Sequence, residues 1–569
     1  MIEKLCRAAA VGSNPRSVKK MCLRHIFSVG SSAVLTRLHP PTGAGFSPPR
    51  SALQRKPSSP TPFSKKSLPL FDLSVDFSGI LSYNSEYDLI STNKTGEHDM
   101  TTGMNLWDAN VWGFVITMTL LFVSMIIANT LRNTIPALRR LMIPSSVLGG
   151  FILLIVNTVF KNCFHIELYQ TSFLEILTYH GLGLGFAAMA LRNVEKKRNR
   201  SNTAAFDSGV TVVSTYLLQA LLGLIVTIAL YFIIGSFFAS GILLPMGFGQ
   251  GPGQAYTWGH TYEVSYGFTS GTSFGLAVAS MGFVSASLGG VIYLSYMRRK
   301  GRFSGEAGKD AVDTNMTIDQ YAGENEIPLS ESMDKFTIQV SLVFCAYILA
   351  FLFMKSVNLI VDTGILGGLG KTVQSMIWGF QFLFGTLFAI VVRTALNLLR
   401  KKGIAKRDYI NNFMMNRISG FMFDIMVIAS IAAIDLSAFL TPSFIIPLTI
   451  ICLLGSSGSY FYLRFICPRL FPRYKDEAFL SLYGMLTGTA STGAILLREV
   501  DPKFETQASD NLVYHQPWAI LFGFPMFLLL GVAPQSIGKC FLTLGICALL
   551  FVIMNVILMR KALFKNKKR

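Results

Sequence analysis

The sequence of 569 residues predicts an all-α polytopic membrane protein of about eleven spanning helices. It predicts two inverted five-helix repeats, each carrying a glycine-rich broken, re-entrant segment. Three observations lead there: an apolar composition, an alternation of basic and non-basic loops, and two polar glycine-rich stretches at matching places in the two halves.

Hydrophobic residues make up 51% of the chain and charged residues 14%, whereas a soluble domain carries charge on about a quarter of its positions. Mean hydropathy is +0.48. A net charge of +19 would suit a nucleic-acid partner, but residues 1–66 hold twelve basic residues against the single acid Glu3. The remaining excess flanks apolar segments, so the expected partner is the lipid bilayer and not nucleic acid. The leader, residues 1–104, is rich in Ser, Pro and Arg and has no apolar run long enough for a signal-peptide core. It reads as disordered, either as an organelle transit peptide or as sequence upstream of a start at Met100 or Met104. Eight cysteines stand singly, with no CxxC pair and no histidine at ligand spacing, which argues against a zinc site or a disulfide framework and for buried thiols.

Apolar runs at about 110–130, 142–160, 171–191, 208–235, 268–296, 337–357, 373–397, 418–440, 443–466, 513–533 and 540–559 supply the spans. Loops 131–140, 192–200, 297–302, 400–407 and 464–475 and the tail 560–569 are basic, while 162–170, 440–443 and 533–536 are nearly free of Lys and Arg. Basic flanks stay cytoplasmic, so residue 110 begins outside and the C-terminus lies inside. Five spans fill 105–302, a polar acidic linker covers 303–336, and five more fill 337–535; an extra helix and basic tail follow at 536–569. Five is odd, so the second set must run in the opposite direction.

Between the fourth and fifth spans of the first half lies GFGQGPGQAYTWG (247–259); the second half has LYGMLTGTASTGAILLREVDP (482–502) at the corresponding place. Gly and Pro leave backbone groups without helical partners, which membranes tolerate only around protein or an aqueous cavity. There, half-helix N-termini suit a carboxylate and freed carbonyls suit a hard cation such as Na+. Candidate substrate ligands are Gly249, Gln250, Gly251, Gly253 and Gln254 in the first stretch and Thr489, Ser491 and Thr492 in the second, with Arg498 as a fork for a substrate carboxylate. For Arg498, pairing with the neighbouring acids Glu499 and Asp501, or with Asp424, is the favoured reading over that fork. Candidate cation ligands or their supports are Gly247, Gly488, Thr487, Asp424, Asp435 and Gln219. Asp424 and Asp435 share a helix face about 16 Å apart, so only one can lie near the midplane; Asp435 also reads as an interfacial carboxylate. Gln219, inside an apolar span, needs a partner, and the adjoining glycine-rich segment is the nearest candidate. His180 and Glu175 fit a bundle interior, the histidine as a hydrogen-bonded structural group.

GFGQGPGQAYTWGHTYEVSYGFTSGTSFGLAVASMGFVSASLGG (247–290), IPSSVLGGF (143–151), YHGLGLGFAAMALR (179–192) and the placement of TGTASTG (487–493) together resemble the bacterial sodium:glutamate symporter family, over about 105–535. The resemblance implies two inverted halves with paired re-entrant elements, a homodimer, and sodium-driven uptake of an acidic amino acid, glutamate first, by a moving transport unit. It also implies Na+ as coupling ion with no permanently bound cofactor, and a multi-pass protein of the bacterial inner (plasma) membrane. TGTASTG is less glycine-rich than in familiar members, and Pro252 is a further departure.

Other transport readings are a carrier of another di- or tricarboxylate, or a cation/proton antiporter using Asp424. An enzyme would need a nucleophile, base or metal cluster, and the chain has no HExxH, with seven scattered histidines. A channel is disfavoured because the polar segments are single and paired, not repeated into a ring.

Overall fold

An apolar run surrounded by hydrocarbon can satisfy its backbone only within itself, so each such run folds as a helix. In the computed structural model, residues 109–193, 202–301, 334–365, 370–404, 407–501 and 506–565 are described, and the helices are α1 (Ala109–Thr134), α2 (Pro136–Leu141), α3 (Ser145–Phe164), α4 (Thr171–Leu191), α5 (Asn202–Ile234), α6 (Pro252–Tyr266), α7 (Gly271–Arg299), α8 (Lys335–Asp362), α9 (Gly370–Gly379), α10 (Gln381–Lys401), α11 (Asn412–Ala432), α12 (Pro442–Leu470), α13 (Lys475–Thr487), α14 (Ala490–Arg498), α15 (Gln507–Tyr514), α16 (Gln516–Val532) and α17 (Ile537–Lys565). The leader and nearly all of the acidic linker lie outside the described residues.

Eleven of the described helices are long and apolar enough to cross a membrane. Their outer faces carry large apolar side chains where a soluble protein would be polar: Ile126 is 65% exposed, Phe232 68% and Phe461 69%. The chain is an all-helical, multi-pass membrane protein, as its composition predicts. The eighth span is shorter than the apolar run suggests. It begins at Asn412, where the Asn411 side chain caps it by accepting from the Met414 amide at 2.8 Å, and it stops at Ala432.

The helices sort into two bundles. One packs α1, α3, α4, α8, α10 and α11 together; the other packs α5, α6, α7, α12, α13, α14, α16 and α17. Each bundle draws on both halves of the chain. In the first, α4 and α11 approach closely because Gly181 lies against Met426 and Gly185 against the Phe423 ring. His180 belongs to its hydrogen-bond chain: His180 Nδ1 meets Tyr347 Oη at 2.9 Å, Tyr347 donates to Gln381 Oε1 at 3.0 Å, and Gln381 Nε2 donates to the Tyr179 carbonyl at 2.8 Å. The histidine is hydrogen-bonded, as the sequence suggests, but it is exposed and does not lie in the bundle interior.

The C-terminal helix α17 is tied into the second bundle. Asn555 Nδ2 donates to Ser214 Oγ at 3.0 Å and its Oδ1 accepts from Tyr462 Oη at 3.0 Å, which joins α17, α5 and α12. Below them Arg560 pairs with Asp207 at 2.5 Å, the carboxylate being 2% exposed. Four of the six described cysteines, Cys452, Cys467, Cys540 and Cys547, are buried thiols; Cys163 and Cys345 are exposed.

Candidate functional site

Glycine and proline break the helical path at both expected stretches. After α5 the chain forms a 3-10 turn, Ser240–Ile242, a helical turn, Leu243–Pro245, and a π-helical turn, Met246–Gln250. Gly251 then takes φ 87° and ψ −178°, a conformation essentially restricted to glycine, and α6 starts at Pro252. Proline suits the first helical position because its missing N–H would have had no partner there, which accounts for Pro252. In the second half α13 ends at Thr487, Gly488 turns the chain, Thr489 is extended, and α14 starts at Ala490.

Both segments are hairpins, and α7 serves as a ruler for them. On the way to the first break, Gly241 lies against Gly223 and Gly249 against the Tyr216 ring, so the chain moves towards the N-terminal end of α5. After the break, Ala255 lies against Gly275 and Gly259 against Gly271, so it returns towards the N-terminal end of α7. The second hairpin comes from the other end of α7: the Tyr483 ring lies against Gly289, the Thr487 carbonyl against Gly282, and Leu496, on the return, against Gly290. Gly247 packs on Val278 and Ala279 and Thr487 on Gly282, so both tips reach the same short section of α7. They touch: a methyl group on Gly251 would lie 3.3 Å from Thr489 Cγ2.

At this junction two helices begin, with their free N–H groups and positive dipole ends, and two helical segments end, with freed carbonyls. Helix α5 holds one carbonyl of each tip. Tyr216 Oη donates to the Gly249 carbonyl at 3.1 Å, and three residues on, Gln219 Nε2 donates to the Leu486 carbonyl and to Ser459 Oγ, both at 2.9 Å. The partner of Gln219 is therefore the second hairpin and α12, not the adjoining first segment. Gln254, in the first turn of α6, accepts from Trp258 Nε1 at 3.3 Å through Oε1. Gln219 and Gln254 are wholly buried, and Gln219 Oε1 and Gln254 Nε2 have no hydrogen-bond partner.

The other candidates fall into three groups. Gln250, Gly251, Thr489 and Ser491 lie at or beside the tips, with Ser491 exposed and the Thr489 hydroxyl 3.4 Å from that of buried Thr492. Gly247, Gly249 and Gly253 are there for close packing, Gly253 against Leu182 and Met426 across the bundle boundary. The Gly488 amide closes α13 onto the Gly484 carbonyl at 3.1 Å, and the Thr487 hydroxyl donates to the Tyr483 carbonyl at 2.7 Å. The third group is not brought to the tips. Asp435 caps the 3-10 turn Leu436–Leu440, accepting from the Ser437 amide at 2.9 Å and its hydroxyl at 2.7 Å, and it is exposed. Asp424 lies beside Ser146 at the start of α3, a helix whose N-cap, Pro144, offers no side-chain bond. Arg498 is exposed at the far end of α14, nine residues or about 13 Å of helix from Thr489. Tyr216 and Ser459 were not among the candidates. The pair Tyr216 and Gln219, one turn apart on an otherwise apolar helix, was the available signal for Tyr216; Ser459, in a run of small residues, offered none.

The sequence model of one family, described as sodium/glutamate symporter, matches residues 112–455 of the chain. No curated protein and no solved structure matches it.

Proposed function

The chain belongs to the sodium/glutamate symporter family and couples glutamate transport to sodium; from that premise we propose that the meeting point of the two hairpin tips is where glutamate is held. The observation that carries the proposal is the contact of Gly251 with Thr489, which points two helix N-termini at one place beside the buried, unpartnered Nε2 of Gln254. The Trp258 indole donates to Gln254 Oε1 and so fixes which end of the amide is the nitrogen. A buried N–H without an acceptor costs about 1–3 kcal/mol, and a hydrogen bond to a carboxylate returns about as much. A substrate carboxylate accepts from that amide and from the first N–H groups of α6 and α14. The carbonyls at the ends of the preceding segments face the coupling ion.

On this reading the two halves are inverted repeats, and the hairpins are re-entrant from opposite faces of the plasma membrane. The basic flanks support a cytoplasmic C-terminus. The hairpin bundle shifts against the other bundle to give alternating access, and Gly253 allows the close approach at their boundary. The work is binding and translocation, with no covalent chemistry, and the assembly is a homodimer. In proteoliposomes, Gln254→Leu is expected to raise the glutamate KM about tenfold or more, the loss of one charge-assisted hydrogen bond. Uptake by the wild type should vanish when choline replaces Na+. An unchanged KM in the folded variant refutes the placement of the substrate.

A further inference from the structure

We infer that Gln219 is a sodium ligand at the back of the second hairpin tip: its side-chain oxygen binds the ion while its nitrogen holds the Leu486 carbonyl, so one side chain links ion binding to tip geometry. The inference rests on the proposed site at the tips and adds the position of the coupling ion.

The orientation of the amide follows from its partners. A carbonyl cannot donate, so the group facing Leu486 O at 2.9 Å is the nitrogen, and its second hydrogen goes to Ser459 Oγ at 2.9 Å. Both hydrogens are spent and Oε1 points elsewhere, wholly buried and without a donor. Two hydroxyls nearby along the chain have also spent their hydrogens. Thr487 donates to the Tyr483 carbonyl at 2.7 Å, and Thr215, one turn before Gln219, donates to the Thr211 carbonyl at 2.8 Å. Their lone pairs remain, so this part of the interior is rich in oxygen acceptors. Along α5 the only Asp, Glu, Lys, Arg or His is Asp207, more than three helical turns away, and the charges of α13 sit in its first turn, at Lys475, Asp476 and Glu477. A neutral set of amide, hydroxyl and carbonyl oxygens suits a singly charged hard cation, whereas divalent ions draw carboxylates. The balancing negative charge is then the substrate carboxylate at the tips. Ion and substrate favour each other, and the coupling is reciprocal. Because Tyr216 holds the first tip one turn away on the same helix, the ion acts on a spacing that α5 sets for both hairpins.

The test uses the full chain in proteoliposomes with Gln219→Met, Gln219→Glu and Gln254→Leu. Two readouts are the Na+ concentration giving half-maximal uptake at saturating glutamate, and the rise in thermal midpoint when NaCl replaces choline chloride without glutamate. The midpoint in choline reports folding. Gln219→Met is expected to raise the half-saturating Na+ concentration about tenfold and to abolish the Na+-induced rise, as for the loss of one ligand. Gln219→Glu keeps an oxygen there and retains the rise. A folded Gln219→Met with the wild-type Na+ response overturns the inference, and so does a folded Gln219→Glu with none. Gln254→Leu separates the two proposals, since it should change the glutamate KM and leave the Na+-induced rise intact. If Gln254→Leu is silent while Gln219→Met loses the ion, the substrate placement fails and the ion site stands.

Discussion

Gly251→Ala isolates the contact between the tips. The backbone at Gly251, φ 87° and ψ −178°, is a region where a side chain costs about 1–3 kcal/mol. The added methyl would also lie 3.3 Å from Thr489 Cγ2, tighter than ordinary packing. The strain can relax only by separating the tips or rotating the first turn of α6, and both moves displace the N–H groups assigned to the substrate. If all of it appears in substrate binding, the glutamate KM rises roughly five- to a hundredfold. Gly267→Ala is the control. Gly267 has φ 71°, so alanine is strained there too, but it ends α6 and a methyl group on it meets nothing within 4 Å. Measured as Na+-driven uptake of labelled glutamate together with thermal midpoints, Gly251→Ala should lose affinity and Gly267→Ala only stability. If the two variants lose the same stability and both keep the wild-type KM, the tips are not where glutamate binds.

Arg560→Ala removes the guanidinium from a carboxylate that is 2% exposed and should destabilise the protein by about 3 kcal/mol; adding Asp207→Asn should restore most of it, read from denaturation midpoints. A double variant no better than the single would mean that the pair does not hold α17. His515, buried between α15 and α16, donates from Nδ1 to the Asn511 carbonyl at 2.8 Å, and burial lowers its pKa from 6.5 to about 4. The unfolded chain therefore takes up a proton below about 6.5 that the folded chain resists until about 4, so stability should be full above this window and fall as pH drops through it. His515→Asn should flatten that part of the pH dependence of the thermal midpoint.

How much of this was legible in the sequence depends on what consumes each polar group. The spans were legible because hydrocarbon leaves an apolar run no fold but a helix, and the two breaks were legible because Gly and Pro announce them. The acids were not. IAAIDLSAFL continues the apolar pattern of α11, and nothing in it says that the helix stops at Ala432 and that Asp435 caps the 3-10 turn that follows. Asp424 looks like an ion ligand at its depth along the chain, but a helix start lacking a side-chain cap lies beside it, contributed by residues nearly three hundred positions away. Long-range pairing of that kind leaves no local trace. The same holds for Gln219, whose partners Ser459 and Leu486 come from the other half.

The tip glycines look alike in sequence and separate only by what surrounds them. Gly247 makes room for the α7 backbone at Val278 and Ala279, and Gly249 and Gly253 make room for side chains, the Tyr216 ring and Leu182 with Met426, whereas Gly251 alone among the four has a positive φ. Of these neighbours Met426 can give most readily, because an unbranched thioether adapts to added volume. Alanine at Gly253 should therefore be tolerated better than at Gly251, although Gly253 is the more enclosed of the two. An order of sensitivity set by backbone conformation and not by enclosure is what a substrate site built from peptide N–H groups requires.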